Sequence, residues 1–287
     1  MDFPILELMA GEFPSGLREI PQPPKSLNYR GLLPSTDLTL LSIVGSRKYT
    51  TYGKQVVDDL VSGLAGYPIG IVSGMALGID SLAHETALIN NLYTLAIPGG
   101  GLSDRRLYPA THKKLAFRIL EAGGGLLSEF DPDFQATRYS FVQRNRLVAG
   151  ISMATLLIEA GDKSGTLITA RMVADYNREL LVVPGSIFSS NSKGVHQFLK
   201  LGATPVTSSK DILDVLHIET NLKDSSQLSL ILSPVETLIL SHLAEPTHKD
   251  DLIRKINLPT NEASQILMLM ELQGHVKSEQ NIYRTNL

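Results

Sequence analysis

The sequence predicts an α/β fold in which a parallel sheet is followed by a small domain of helices and a hairpin. Short apolar runs alternate with longer segments of helical periodicity, which is typical of a parallel sheet with right-handed crossovers. Several of these runs end in glycine or serine. A polar stretch without periodicity then separates them from the C-terminal segment, as expected for a linker between two domains.

Residues 1–38 are predicted to form an extended lead-in to the first domain. Their prolines are Pro4, Pro14, Pro21, Pro23, Pro24 and Pro34. Proline at this density disfavours helices and the ladder hydrogen bonds of a sheet. The first domain is therefore expected over residues 39–216.

Six apolar runs are predicted to be the strands of this domain. They are Leu41–Val44, Ile69–Val72, Tyr93–Ile97, Gly125–Leu127, Ala154–Ile158 and Leu180–Val183. Each is nearly continuous in apolar residues, as expected for strands covered on both faces. The helix candidates lie near residues 53–65, 78–90, 111–122, 142–151, 165–177 and 194–202. In such a sheet the ligand crevice lies beyond the carboxyl ends of the strands, where small residues such as Gly99 and Gly100 admit a ligand.

The C-terminal residues are predicted to form a winged helix. Residues 217–229 are polar and are interpreted as a linker, and residues 230–287 form the second domain. Ser233 and Glu236 provide reciprocal caps for a first helix. Two further helices and a hairpin over His275–Arg284 complete the pattern.

The charge of this second domain argues against DNA binding by its third helix. Thr260–Leu272, the expected recognition helix, contains Glu262 and Glu271 and neither lysine nor arginine. From Leu228 to Leu287 there are five basic and seven acidic residues, a net charge of −2. Binding dominated by phosphates needs basic side chains. We therefore interpret the domain as a protein-contact or vestigial module.

Composition excludes several classes of protein. The chain contains no cysteine, so a disulfide framework, a thiolate metal site and a cysteine nucleophile are impossible. No segment approaches the ~20 apolar residues that cross a bilayer, and the N-terminus does not resemble a secretory signal. We expect a cytoplasmic protein without membrane contact. Since the formal net charge is −3, any nucleic-acid site must be a local pocket.

Two strand ends combine glycine with groups that suit a phosphate. Gly45, Ser46 and Arg47 follow the first strand, where backbone N–H groups and a guanidinium can meet an anion. Ser73 and Gly74 follow the second strand, and glycine there allows close approach to the backbone. Either turn could instead serve helix–sheet packing alone, because short glycine-rich turns are weak signals.

The segment from Phe134 to Val148 is basic in a chain that is otherwise net negative. It contains no acid, and its arginines are Arg138, Arg144 and Arg146. Arginine suits phosphate recognition, and Phe141 or Tyr139 could stack on an unpaired base. Alternatively, one or two of the arginines pair with acids such as Glu129 or Glu159.

A further candidate for phosphate binding is a helix start at Ser164, Gly165 and Thr166. Free backbone N–H groups and the positive end of the helix dipole favour an anion there. An ordinary capped helix start explains the same residues equally well. The G-x-x-x-x-G-K-[ST] spacing of a P-loop is absent, so hydrolysis of a nucleoside triphosphate is not predicted.

Motifs for bond-breaking chemistry are missing from the sequence. There is no paired-carboxylate loop, no H-E-x-x-H and no G-x-S-x-G. No nucleophile lies in a recognisable activating setting. We therefore predict a binding protein with no catalytic residue, no metal and no cofactor.

Taken together, the clusters resemble the DNA-processing protein A family, also called DprA or Smf. The resemblance covers about residues 12–216 and rests on the order of the segments IVGSR, SGMALGID, GGGLSDRRLYP, LLSEF, FVQRNRLVAGIS, EAGDKSGTLITA and VVPG. It implies an extended Rossmann-like domain that binds single-stranded DNA, protects incoming DNA and helps to load the RecA recombinase during natural transformation. It also implies a homodimer through that domain and no catalytic turnover.

By the same resemblance, four groups of residues are expected to bind DNA. They are the strand-end motif Gly45, Ser46 and Arg47, the stacking aromatic Phe141 with the basic Arg138, the R-N-R segment Arg144, Asn145 and Arg146, and the helix start Ser164, Gly165 and Thr166. The strand-end residues Ser73, Gly74, Gly99 and Gly100 complete the predicted site. Many members carry a SAM-like helical domain before the sheet, which we do not expect here because the first predicted strand begins at Leu41.

Two other functions are compatible with the same fold. The chain could be an enzyme that resembles the cytokinin-activating phosphoribohydrolases, with Glu129 or Glu159 polarising the ribose of a nucleotide. It could also be a sensor that binds a small nucleotide signal and responds through the winged helix. Release of a free base would favour the enzyme, and a thermal shift caused by a nucleotide without oligonucleotide binding would favour the sensor.

Overall fold

A computed structural model describes residues 3–219, 233–243, 245–256, 258–272, 275–279 and 281–285. The chain divides into two compact units, one before and one after the gap at residues 220–232. Most of the expected linker, residues 217–229, lies outside the described residues, so its boundaries remain a prediction. Among the described residues, none of the helices combines the length and hydropathy needed to span a bilayer.

The first unit is built on a nine-stranded sheet. Its strands are β1 (Leu6–Met9), β2 (Ser26–Gly31), β3 (Thr39–Val44), β4 (Ile69–Ser73), β5 (Tyr93–Ala96), β6 (Gly125–Ser128), β7 (Ala154–Leu157), β8 (Glu179–Val182) and β9 (Thr204–Pro205). They lie side by side in the order β1-β2-β6-β5-β4-β3-β7-β8-β9. The pairs from β6 to β9 are all parallel. The predicted parallel sheet is therefore confirmed, and its strand order reverses between β3 and β7.

Helices cover both faces of this sheet. They are α1 (Ser15–Arg18), α2 (Thr51–Ser62), α3 (Ile79–Ile89), α4 (Lys113–Glu121), α5 (Arg138–Ile151), α6 (Thr166–Asp175), α7 (Lys193–Lys200) and α8 (Ser209–Val215). Alternate residues of one strand enter different cores: Leu41 packs with α2 and α3, whereas Val44 packs with α5 and α6. Burial on both faces explains why the strands read as continuous apolar runs.

The N-terminal segment differs from the extended lead-in that we expected. β1 pairs with β2, and β2 pairs with β6, both antiparallel, so two strands of this segment belong to the sheet. The prolines did not prevent this because all of them lie outside both strands. They precede, separate or follow the strands and leave the ladder N–H groups intact.

The second unit contains α9 (Pro234–Ser241), β10 (Thr247–His248), α10 (Lys249–Ile256), α11 (Thr260–Leu272), β11 (Val276–Glu279) and β12 (Ile282–Thr285). Its three strands form an antiparallel sheet in the order β10-β12-β11. The predicted cap of α9 is present: the Ser233 N–H donates to Glu236 Oε2 at 2.6 Å, and the Glu236 N–H donates to Ser233 Oγ at 3.3 Å. The winged-helix prediction is confirmed by these elements.

Candidate functional site

A cavity of about 840 Å³ opens where the strand order of the sheet reverses. The turns after three neighbouring parallel strands, β4, β3 and β7, contribute Gly74, Gly45 and Gly161 to its wall. A reversal point leaves a crevice because the crossover helices on its two sides lie on opposite faces of the sheet. The cavity is therefore where a ligand is expected from topology alone.

Two glycines of this wall have no room for a side chain. A Cβ at Gly45 would lie 2.6 Å from Cγ1 of Ile79, and a Cβ at Gly74 would overlap the guanidinium of Arg144. The turn after β3 is also fixed by hydrogen bonds, since the Ile79 N–H donates to the Ser46 carbonyl at 3.2 Å. Glycine at these positions brings two elements into direct contact and keeps the floor of the cavity close to the backbone.

An aromatic ring and a cation face each other inside the cavity. The Arg47 guanidinium carbon lies 5.6 Å from the centre of the Phe141 ring, which is a cation–π distance. Tyr108 contacts the same ring, with 5.4 Å between ring centres and 51° between the planes. All three side chains line the cavity. Together they make an aromatic surface with a positive charge beside it.

Arg144 forms the buried floor of the cavity. Only 4% of the residue is exposed, and its NH1 group donates to the carbonyl of Ile97. Burial lowers the pKa of the Arg144 guanidinium to about 10, with the carboxylate of Asp80 opposing this shift. Burial likewise raises the pKa of Asp80, and the charges of Arg144 and Arg47 oppose that rise. Arg144 therefore keeps its positive charge at neutral pH.

The fixed orientation of α5 places Arg138, Phe141 and Arg144 at the cavity. Thr137 caps the start of the helix, because its Oγ1 accepts the Ser140 N–H at 3.2 Å while Ser140 Oγ accepts the Thr137 N–H at 2.8 Å. Residues spaced by three along a helix share one face. The three side chains follow this spacing and all line the cavity.

The start of α6 forms the opposite wall. The hydroxyl of Thr166 donates to the Gly45 carbonyl at 3.0 Å, which ties this helix to the turn after β3. Ser164 Oγ accepts the Thr166 N–H at 3.3 Å. Gly165 is exposed, and a Cβ built on it meets no atom within 4 Å. The helix start is therefore open to a ligand that approaches through the cavity.

The cavity is positive although the chain carries a net charge of −3. Its cationic side chains are Arg47, Lys48, Arg138, Arg144 and Lys163, against the two carboxylates of Asp80 and Asp162. Asp80 is buried behind Arg144, whereas Arg47, Lys48, Arg138 and Lys163 are exposed. Exposed cations of this kind suit a polyanion that lies across the opening.

Comparison with known proteins identifies the family. Residues 5–217 match the family described as DNA recombination-mediator protein A, and residues 223–280 match the DprA winged helix domain. The chain belongs to this family. It is 34% identical over 261 residues to Protein Smf of Escherichia coli, an alignment that covers 88% of this chain and 69% of that protein.

Solved structures of two DprA proteins are similar to this chain. DprA of Streptococcus pneumoniae superposes with a TM-score of 0.68 at 34% identity, covering 75% of this chain and 74% of that one. DprA of Helicobacter pylori superposes with a TM-score of 0.65 at 30% identity, covering 75% of this chain and 96% of that one. The work on the Helicobacter protein describes its single-stranded DNA binding mode.

Most residues that the DprA resemblance assigned to the site lie together in the cavity. Those that line it are Gly45, Ser46, Arg47, Gly74, Arg138, Phe141, Arg144, Asn145, Ser164, Gly165 and Thr166. They come from four separate segments, which the fold brings to one edge of the sheet. Their assignment to DNA binding stays a prediction.

Arg146 does not line the cavity. Its NH2 group pairs with Glu129 Oε2, and its NH1 group donates to the carbonyl of Gln22. The side chain of Arg146 is 14% exposed and that of Glu129 is 5% exposed. Arg146 therefore forms the internal ion pair that we considered as the alternative. We correct its predicted role from DNA contact to structural support.

Ser73, Gly99 and Gly100 also lie outside the cavity wall. The Ser73 hydroxyl is fully buried and donates to the Ile43 carbonyl at 2.6 Å, joining two strands. Gly99 lies directly beneath the ring of Phe141, and a Cβ on Gly100 would be 3.2 Å from Cβ of Ala136. These residues support the site from behind, because the protein itself occupies the space next to them.

Several residues of the cavity were not predicted from the sequence. Lys48 and Lys163 adjoin predicted residues, and Tyr108 belongs to the GGGLSDRRLYP segment, from which only Gly99 and Gly100 were predicted as site residues. Their positions next to recognised motifs could have revealed them. Asn191 gave no such signal, because it reaches the cavity through a long-range hydrogen bond from its Nδ2 to the Lys48 carbonyl at 2.8 Å.

Neither acid that the enzyme hypothesis requires lies on the cavity. Both carboxylate oxygens of Glu159 accept hydrogen bonds from Thr50, from its N–H at 2.9 Å and its hydroxyl at 2.6 Å. Glu129 Oε2 is bound by Arg146 and by Gln143 Nε2, the latter at 2.8 Å. Both acids are committed to structural contacts, which does not favour a phosphoribohydrolase.

Proposed function

We propose that the cavity binds single-stranded DNA. A base would stack on Phe141, and the flanking phosphates would meet Arg47, Arg138 and the start of α6. The observation that carries this proposal is the contact of Arg47 with Phe141 inside a cation-rich cavity. Aromatic stacking with basic side chains along the backbone is how sequence-tolerant proteins hold unpaired strands.

The geometry favours an unpaired strand over a duplex. Phe141 is only partly exposed and lies inside the cavity, so a base must leave its partner to reach the ring. In a duplex the base faces are already stacked on one another and are closed to a side chain. The similarity to Helicobacter DprA, whose single-stranded DNA binding mode has been described, supports the same substrate here.

The wider role that we propose is that of a recombination mediator without catalytic turnover. The chain would protect incoming single-stranded DNA in the cytoplasm and help to load a RecA-type recombinase during natural transformation. It would act as a homodimer through the Rossmann-like domain. Membership of the DNA recombination-mediator protein A family supports this role. The structural commitment of Glu129 and Glu159 supports a function that does not depend on bond cleavage.

A titration with oligonucleotides of matched length and sequence tests the DNA proposal. Fluorescence anisotropy should show clearly tighter binding to the single strand than to the duplex. Equal affinity for both forms, or release of free base from a nucleoside monophosphate, would overturn it. The wider role is tested by the rate at which RecA nucleates on single-stranded DNA with and without this chain, and sedimentation equilibrium tests the dimer.

A further inference from the structure

A second basic segment lies beside the cavity. Residues 105–120 contain five lysine and arginine side chains and no acid. Arg105 is paired with Asp133 at 2.5 Å. Lys113 and Lys114 are exposed and make no ion pair among the residues that the structure describes. These two lysines have no assigned role in the cavity and remain available to an anion.

Topology places both lysines at the same edge of the sheet as the cavity. They open α4, the helix that follows β5, and a crossover helix in a parallel sheet begins at the carboxyl edge of the strands. β5 lies next to β4, whose turn supplies Gly74 to the cavity wall. Neighbouring strands are about 4.8 Å apart. Both lysines therefore belong to a crossover that starts one strand away from a strand whose turn lines the cavity.

The chain between the cavity and the lysines is short and well anchored. Tyr108 lines the cavity and is 51% exposed. His112 then contacts the turn after β4, since its Nδ1 lies 3.0 Å from the carbonyl of Met75. The five residue-to-residue steps from Tyr108 to Lys113 can span at most about 18 Å. A strand of DNA that leaves the cavity past Tyr108 would need few further nucleotides to reach the lysines.

We propose that Lys113 and Lys114 extend the DNA-binding site, by holding phosphates of the same single strand after it passes Tyr108. This inference rests on the proposed function of the cavity. The track follows the carboxyl edge of the sheet from β3 across β4 to β5. Each phosphate contact releases counterions, so the extension adds affinity without any base specificity. Only strands that are too long for the cavity alone reach these lysines.

The test compares a short and a long oligothymidylate, of about 6 and about 20 nucleotides. The variant K113Q/K114Q should bind the long strand on the order of tenfold more weakly than the unmodified chain at low salt. Its plot of log affinity against log salt should be shallower by about 1.4, because each phosphate contact on a single strand contributes about 0.7. Its affinity for the short strand should be unchanged.

The matched control is R118Q/K200Q, which also removes two positive charges. Arg118 and Lys200 lie in the last turns of α4 and α7, away from the carboxyl edge, so this control should bind both strands normally. Two results would overturn the extension: an unchanged salt slope in K113Q/K114Q, or an equal loss of affinity for the long strand in the control. In either case, binding of the short strand by the unmodified chain would still support the proposed function of the cavity. Failure of the unmodified chain to bind the short strand would overturn the proposed function as well.

Discussion

At the scale of single residues, the site depends on which side chains are free and which are already partnered. Arg47 is exposed and its guanidinium lies over the face of Phe141, whereas Arg146 is held by Glu129 and by the Gln22 carbonyl. The two arginines have the same chemistry but different roles, because one can exchange its contact for a ligand and the other cannot without leaving a buried charge.

The substitution F141A should weaken binding of a short oligothymidylate by about 1–3 kcal/mol, the usual contribution of one stacked base. Fluorescence anisotropy measures the change. Tyr139 provides a matched control, because it is an aromatic residue of the same helix, is 87% exposed and does not line the cavity. Y139A should bind normally; full affinity in F141A would remove the stacking surface from the site.

Substitution of Arg47 should affect DNA binding, whereas substitution of Arg146 should affect stability. R146A leaves the buried carboxylate of Glu129 without its charged partner and should lower the free energy of unfolding by about 3 kcal/mol. R47A removes an exposed side chain and should weaken DNA binding while the stability stays close to that of the unmodified chain. Chemical denaturation and oligonucleotide titration of both variants check this. A stable R146A with weakened binding would contradict the structural role of Arg146.

At the scale of secondary-structure elements, the turn after β4 and the helix α5 meet without space between them. The guanidinium of Arg144 lies where a side chain at Gly74 would be, so the glycine is required by the contact and not by its own backbone angle. The sequence predicted a helix from 142, but α5 begins at Arg138 because Thr137 and Ser140 cap each other. This earlier start brings Arg138 and Phe141 onto the helical face that lines the cavity.

The substitution G74A should displace Arg144 from the cavity floor. A methyl group there overpacks a closed contact, which costs about 1–3 kcal/mol in stability, and DNA binding should weaken with it. Thermal unfolding and anisotropy measure the two effects. G165A is the control for stability, because no atom lies within 4 Å of its added Cβ and its φ of −58° suits alanine. Equal stability of the two variants would argue against the packing of Arg144 on Gly74.

At the scale of the whole molecule, the charge is unevenly distributed. The chain is net negative, yet five cationic side chains line the cavity against two carboxylates. DNA is therefore expected to be attracted to one edge of the sheet and repelled by much of the remaining surface. The acidic winged helix is consistent with a contact to protein, as the sequence indicated.

Binding of a single strand should weaken as salt increases. Each phosphate contact contributes about −0.7 to the slope of log affinity against log salt, so a slope steeper than about −1 is expected for the cavity. R47A should reduce the steepness by about 0.7, since it removes one contact. Titrations at several salt concentrations measure both values. A flat response would mean that phosphates are not held by the cavity.

The sequence by itself determined the α/β class, the parallel strands and the winged helix. These follow from local patterns, namely apolar runs buried on both faces, helix caps and glycine at strand ends. Together with the family resemblance, the sequence also indicated 11 of the residues that line the cavity. Only the tertiary structure decided which charged residues are free. Arg146, Glu129 and Glu159 form contacts between distant segments, and Asn191 reaches the cavity from outside the motifs. Pairing and burial depend on neighbours in space, which spacing along the chain does not specify.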